Sequence, residues 1–344
     1  MRIAICSSFV PFIHGGGRFI VDWLAIKLRE YGHQVEVIYL PFGEKSDEIL
    51  PQFVSYRLLD LTQDTDRLIT IRPPAYLIPH PNKIIWLIHQ FRSFYDLWDG
   101  PYCSYPDDSK HRAIRTRIME ADRVSFGEAR RLFTNSQVVS RRLQFYNKID
   151  SEVLYPPLLE PERFYCRKYG DEVVYMCRVE HHKRQHLLVE AFRYVRTPVK
   201  LRICGVSSTS YAQKLHTLIS KNWLKDRVNF ENRWISEEEK REILADALVT
   251  AYLPLDEDSY GYPSLEASCA RKGIITTTDS GGVLELVQDR RNGRILEPEP
   301  QAIAAAIDEI YENRSLAQSM GEAAFQRLNE LNINWDHVLN RLLS

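Results

Sequence analysis

No stretch of this chain approaches the ~20 consecutive apolar residues that a membrane helix needs. Met1-Arg2 leads straight into Ile3-Ala4-Ile5-Cys6, without the pattern of a secretory leader, which predicts a cytoplasmic protein. Cysteines number 6 and lie far apart, with no C-x-x-C pair. That spacing argues against a disulfide frame and against a zinc site. Cys6, Cys177 and Cys204 fall in strand-like runs and read as small buried apolar residues. An excess of either charge is also missing: the formal net charge is −1, which argues against nucleic-acid binding. Repeats and low-complexity segments are absent. What remains is a chain of 344 residues, 44% apolar, enough for about two domains of ~150 residues each.

The most informative stretch runs from Val249 to Leu286. The apolar run Val249–Leu253 reads as a buried strand and is followed by an acidic turn, Asp256-Glu257-Asp258. Gly261 then permits a tight turn and a close backbone approach to a ligand. Pro263 suits the first turn of a helix, where no N–H is needed. The amides of Ser264 and Leu265 are expected to point outward at that helix tip, as an anion site. Glu266 sits on the same turn, eight residues after Asp258. A carboxylate beside an anion site suits hydroxyls of a ribose or sugar better than the anion itself. A second apolar strand, Gly273–Thr277, leads to Ser280-Gly281-Gly282, another phosphate-friendly turn.

This segment resembles the donor-sugar motif of family-four retaining glycosyltransferases, the group 1 enzymes with the GT-B fold. Their two acids are separated by seven residues around a Gly-aromatic pair, followed by a Gly-Gly turn and a Glu. Here those features read Asp258 and Glu266, Gly261-Tyr262, Gly281-Gly282 and Glu285. The first acid is usually Glu, so Asp258 departs from the pattern. Glu257 takes its place if Ser259 is an insertion. The resemblance covers nearly the whole chain. It implies an α/β protein of two Rossmann-like domains, with parallel sheets facing an interdomain cleft.

In the amino-terminal half, Arg2–Cys6, the loop Pro11–Gly17, a helix over Ile20–Tyr31 and a strand over Gln34–Leu40 form a βαβ unit. The strict G-x-G-x-x-G spacing is absent, so a dinucleotide site is not indicated. The resemblance instead implies that Gly15 and Gly16 approach the donor diphosphate. Strands are expected over Arg67–Ile71 and Ile84–Ile88. His89 follows the latter, at the end of a parallel strand where ligands bind. Two readings stand: a histidine that caps the strand, and, by resemblance, one beside the donor sugar. The aromatic-rich loop after it is expected to meet the acceptor. The helices of Ser109–Arg131 and Ser136–Tyr146 are rich in Lys and Arg. They read either as a solvated face or as a peripheral contact with anionic membrane or a lipid-linked acceptor. Prolines 156, 157 and 161 mark the crossing to the second domain.

In the carboxy-terminal half, Arg178 follows the strand Val173–Cys177. Lys183 precedes a helix over Gln185–Val195. Two cations across one strand-to-helix loop can hold a departing diphosphate, and the resemblance assigns Arg178 and Lys183 that role. His182 and His186 are four apart, without a third ligand nearby. The remainder alternates strand and helix, as in a doubly wound sheet. Trp234 and Ile235 follow the strand Val228–Glu231. They read as packing on the sheet edge or, by resemblance, as the base pocket. Asp64-Thr65-Asp66 and Asp256-Glu257-Asp258 both fit D-x-D, a pattern that some transferases use for Mn²⁺.

The resemblance implies transfer of a hexosyl group, with retention, from a UDP- or GDP-sugar. The acceptor would be a hydroxyl of a glycan or lipid-linked molecule, in cell-surface polysaccharide synthesis. Catalytic expectations are His89, Arg178, Lys183 and Asp258. Donor contacts are expected from Gly15, Gly16, Arg178, Lys183, Trp234, Ile235, Gly261, Tyr262 and Glu266. No cofactor or metal is expected. The domains are expected at residues 1–158 and 159–328, with a helix in 329–344 crossing back to the first. Rival readings are a nucleotide-sugar epimerase, which shares the fold, and a non-catalytic sugar-nucleotide-binding subunit, suggested by Asp258.

Overall fold

The computed structural model describes residues 1–9, 15–100 and 102–344. The chain divides into two compact units, Met1–Pro156 with Trp335–Ser344, and Pro157–Asn334. Each is built on a six-stranded parallel sheet.

The first unit runs β1 (Arg2–Phe9), α1 (Gly16–Glu30), β2 (Gln34–Pro41), α2 (Ser46–Arg57), β3 (Arg67–Thr70), β4 (Lys83–Leu87), α3 (Ser109–Gly127), β5 (Arg131–Thr134), α4 (Gln137–Asn147) and β6 (Glu152–Val153). Its sheet order is β2-β1-β3-β4-β5-β6. A parallel strand covered on both faces reads as an unbroken apolar run. Ile3-Ala4-Ile5-Cys6 and Ile84-Ile85-Trp86-Leu87 are such runs, and all are buried. Two details differ from expectation. Helix α1 begins at Gly16, so Gly16 and Gly17 belong to its first turn and not to a glycine loop. The rest of that loop, Pro11–His14, lies outside the described residues. Helix α2 was not foreseen, because Pro51 sits inside it.

The second unit runs β7 (Glu172–Met176), α5 (Gln185–Ala191), β8 (Lys200–Cys204), α6 (Thr209–Lys221), β9 (Val228–Glu231), α7 (Glu237–Asp246), β10 (Val249–Ala251), α8 (Tyr262–Cys269), β11 (Ile274–Thr277), α9 (Val283–Leu286), β12 (Gly293–Leu296), α10 (Pro300–Glu312) and α11 (Arg314–Glu330). Its order, β12-β11-β10-β7-β8-β9, reverses direction between β7 and β10. The pair is in register at Val249 with Val173 and Thr250 with Val174. Loops leaving a topological switch point diverge and leave room for a ligand. The loops leaving β7 and β10 carry Arg178, Lys183, Asp258 and Gly261.

The last helix, α12 (Trp335–Leu343), packs on the first unit. It buries Trp335, Val338, Leu339 and Leu342. Arg67 in β3 donates to the Leu342 carbonyl at 2.6 Å, and Arg341 pairs with Glu152 at the sheet edge.

Candidate active site

The loop after β7 is held from below. The Tyr175 hydroxyl, in β7, donates to the Lys183 carbonyl and accepts the Leu253 amide at 3.0 Å. That hydroxyl therefore ties the β7 loop to the β10 loop. Lys183 ends a short turn, His181–Lys183, and its side chain is buried. Its Nζ donates to the Tyr252 hydroxyl at 2.9 Å and pairs with the Glu257 carboxylate. Nζ also lies 5.3 Å from the Tyr252 ring centroid. Burial holds Tyr252 well above the ordinary phenol range, so its hydroxyl stays a neutral partner for the ammonium. Arg178 is more exposed and donates to Glu180 Oε1 at 2.7 Å. Each expected cation thus has a carboxylate beside it.

Arg184, which the sequence reading passed over, fixes the rest. Its Nε donates to the Leu253 carbonyl at 2.7 Å. Its Nη2 donates to the Pro254 carbonyl and to Thr277 Oγ1, each at 2.8 Å. The guanidinium also forks onto Asp279, at 2.7 and 2.8 Å. One residue therefore joins the ends of β7, β10 and β11. A fork of this kind is specific to arginine.

The Gly-Gly turn packs on the acidic loop. Gly281 has φ +64°, and a Cβ there would lie 2.4 Å from the Glu257 carbonyl oxygen. The Gly282 amide donates to that same carbonyl at 2.8 Å. Glu257 thus has a fixed backbone, while Asp258 stands next to it, half-buried. Gly261 has φ +70°, and a Cβ there would lie 2.5 Å from the Tyr252 ring. Only glycine combines that conformation with that approach.

Helix α8 opens at Tyr262, with Pro263 second. The amides of Ser264 and Leu265 do not point outward as expected. Both donate to the Gly261 carbonyl, at 3.2 and 3.4 Å, because they already lie within the first helical turn. Glu266 is buried, and its Oε1 accepts Lys240 Nζ at 2.7 Å. Lys240 comes from α7, whose start is capped by Ser236 accepting the Glu239 amide at 3.1 Å. Burial lifts the Glu266 carboxyl above its ordinary range, and Lys240 offsets this in part. Lys240 was absent from the sequence reading, since nothing local links it to residue 266. After β9, Ile235 is buried and Trp234 is 63% exposed.

Of the two histidines four apart, His186 lies in α5, where its Nδ1 meets the Tyr211 hydroxyl at 2.8 Å. Burial lowers it to about 4. His182 lies in the preceding turn, exposed, and the two share no helical face.

In the first unit, Gly15 caps α1 in extended conformation, and its carbonyl accepts the Arg18 and Phe19 amides at 2.9 and 3.2 Å. His89 lies just past β4, with Nδ1 2.7 Å from the Gln90 carbonyl. A carbonyl only accepts, so in the neutral ring Nδ1 carries the proton and Nε2 is an acceptor. Strand-capping, one of the two readings of His89, therefore describes Nδ1. The basic run of α3 and α4 is largely paired: Lys110 with Asp47, Arg112 with Asp107, Arg117 with Glu120 and Arg142 with Asp96. In the first D-x-D, Asp66 accepts the Arg2 amide at 2.7 Å.

Two doubly wound parallel sheets of six strands each give the GT-B fold. The family model described as glycosyl transferases group 1 matches residues 167–327, which lie within the second unit. Among curated proteins, alpha-1,3/1,6-mannosyltransferase ALG2 of Homo sapiens is 26% identical over 270 residues. That match covers 67% of this chain and 63% of the relative, so the chain spans less than two thirds of it. Among solved structures, HepE of Anabaena in complex with UDP aligns over 100% of this chain and 98% of its own, with TM-score 0.75 and 14% identity. Sucrose-phosphate synthase of Thermosynechococcus elongatus aligns over 98% and 97%, with TM-score 0.76 and 15% identity. A glycosyltransferase from Rickettsia africae aligns over 99% and 97%, with TM-score 0.72 and 15% identity.

Proposed function

We propose that this glycosyltransferase moves a hexosyl group, with retention, from a nucleoside diphosphate sugar to a hydroxyl of a glycan or lipid-linked acceptor. The observation that carries the reading is the pairing of Lys183 with the acidic loop that leads from the switch point into α8, the helix that carries Glu266. Lys183 takes the diphosphate once Glu257 turns away, and Arg178 adds a second positive charge. Two cations in a dry site stabilise a leaving diphosphate by several kcal/mol, on the order of 3 per donor. Glu266 receives the ribose hydroxyls, and Asp258 faces the sugar. The exposed Trp234 ring and the adjoining backbone receive the base.

In the transfer, the bond between the anomeric carbon and the phosphate oxygen breaks. The acceptor oxygen forms the new bond on the same face, and its proton passes to the departing phosphate. Gly15 and Gly16, at the start of α1, are assigned to the donor diphosphate and His89, just past β4, to the donor sugar, while the acceptor enters from the first unit. The lysine and arginine supply the positive charge, so the reading includes no metal. The UDP bound to HepE and the mannosyl transfer in the name of the human relative support a nucleotide-sugar donor. Peripheral contact with anionic lipid belongs to the same proposal. It rests on Arg123 and Arg141, exposed and without an acidic partner among the described residues, and flotation with anionic against neutral liposomes tests it.

The deciding experiment titrates the full chain with UDP and GDP, then assays sugar release from the better base's sugars with pooled acceptors and EDTA present. Binding with retained stereochemistry in the product is expected. Binding without turnover points to the non-catalytic subunit, and absence of nucleotide binding overturns the reading.

A further inference from the structure

We infer that Lys240 is a positioning residue for donor recognition, holding Glu266 ionised and orienting it toward the ribose diol. The inference rests on the nucleotide-sugar reading above and adds to it a residue outside the donor loops. A carboxylate accepts from two hydroxyls only while it is ionised. Glu266 is 7% exposed, in a setting that favours its neutral form. A protonated Glu266 would spend one oxygen as a donor and lose its preference for a diol.

Lys240 counters that burial by direct contact. Its Nζ lies 2.7 Å from Glu266 Oε1, and 2.9 and 3.0 Å from the two oxygens of Glu237. The contact takes Oε1 alone. Among the described residues, Oε2 has no hydrogen-bond partner and is left for a ligand. The Lys240 backbone is held in the capped first turn of α7, where its amide donates to the Ser236 carbonyl at 2.9 Å. Burial works against the ammonium, yet Glu266 and Glu237 leave it above its ordinary range.

The other charged and titratable groups do not replace this contact. From α7, Arg241 also favours the ionised Glu266 but comes after Lys240 and is engaged by Glu238 and Glu160, while Glu237 works against that ionisation. From α8 itself come Tyr262 and Cys269, both held neutral by burial. From the turn at Pro161–Arg163, Glu162 lies toward Cys269 and adds negative charge. Strand β11 carries no titratable side chain. Helix α11 sends Glu322 to Arg271, past the far end of α8.

The test is calorimetric titration of the full chain with UDP, GDP and 2′-deoxy-UDP, at pH values from about 6 to about 9, because burial raises the Glu266 carboxyl and loss of its cation raises it further. Wild type is expected to prefer the ribonucleotide across the range. Lys240→Met is expected to lose that preference by about tenfold at the acid end and to regain it at the alkaline end. Lys240→Arg keeps the charge and is expected to follow wild type. Should Lys240→Met not fold, Lys240→Gln, which keeps a donor without charge, carries the same test. A K240M loss of equal size at every pH means a purely structural lysine and overturns the inference. So does a wild type that binds UDP and 2′-deoxy-UDP alike. A wild type that binds no nucleoside diphosphate overturns the functional reading itself, before any variant is made.

Discussion

In the proposed donor site the central residue is Lys183, and its partner in the free protein is an acid. A diphosphate arriving at Nζ must displace the Glu257 carboxylate, whose backbone cannot retreat because the Gly-Gly turn packs on it. Charge-assisted contacts of this kind are stronger than neutral ones, so the displacement costs binding energy. Glu257→Gln weakens the contact held by Lys183 and leaves the cation better available. Titration with UDP or GDP is therefore expected to show about 3–10-fold tighter binding, on the order of 1 kcal/mol. Lys183→Met removes the cation, and kcat is expected to fall by roughly 10²–10³-fold. A Glu257→Gln protein that binds more weakly would show that Glu257 holds the donor rather than competing with it. The sequence left Asp258 and Glu257 as alternatives for one position. The fold gives them different surroundings, one beside Lys183 and one half-buried next to it.

At the scale of elements, helix α3 carries a buried carboxylate that the functional reading does not use. Asp122 accepts the Tyr76 hydroxyl at 2.9 Å and the Tyr95 hydroxyl at 2.6 Å. Asn147 of α4 donates to Tyr95 at 3.2 Å and accepts Gln90 at 2.7 Å. Burial pushes Asp122 up to about 7, although both tyrosines pull the other way. The folded state therefore binds this proton more tightly than the unfolded chain. Stability from this group is fully present below the unfolded carboxylate range and is lost as pH rises to about 7. Asp122→Asn cannot ionise and is expected to flatten that dependence. Between about pH 5 and 8 the wild type should lose on the order of 2–4 kcal/mol more than the variant, measured by denaturant unfolding. An identical pH dependence in both proteins would show that Asp122 titrates normally. The elements themselves were legible where their pattern was strong. Val228–Glu231 was read to the residue and the last helix was placed within 329–344, because a short β-rich run and an amphipathic helix each have one period. Helix α2 was not, because Pro51 masked the helical spacing of Ile49, Phe53 and Tyr56. Strand β12 was also missed: Gly293–Leu296 is too short for alternation to register. Within the site, glycines and acids at fixed spacing were readable. Lys240 and Arg184 were not, because their partners lie 26 to 95 residues away along the chain.

At the scale of the whole molecule, the chain enters the first unit twice. Residues Met1–Pro156 form its sheet, and Trp335–Ser344 return to it after the second unit is complete. The returning helix is not a decoration. Four of its side chains, Trp335, Val338, Leu339 and Leu342, are buried, and each buried side chain of this size is worth about 1.5–3 kcal/mol. Its Leu342 carbonyl also takes the guanidinium of Arg67, a residue 4% exposed. Deleting residues 335–344 therefore uncovers an apolar face and leaves a buried cation without that acceptor, a change that is severe in itself. The summed loss, on the order of 5 kcal/mol or more, is comparable with the whole stability of a domain. The first unit of the truncated protein is expected to melt well below that of the full chain. Hydrogen exchange should show early loss of protection in β3 and in α1, which packs against α12. Residues 157–334 hold their own sheet and core, so protection in β7, β8 and β10 should persist in the truncated protein. Simultaneous collapse of both units on truncation would instead mean that the second unit depends on the first for its stability, and the division into two folding units would fail.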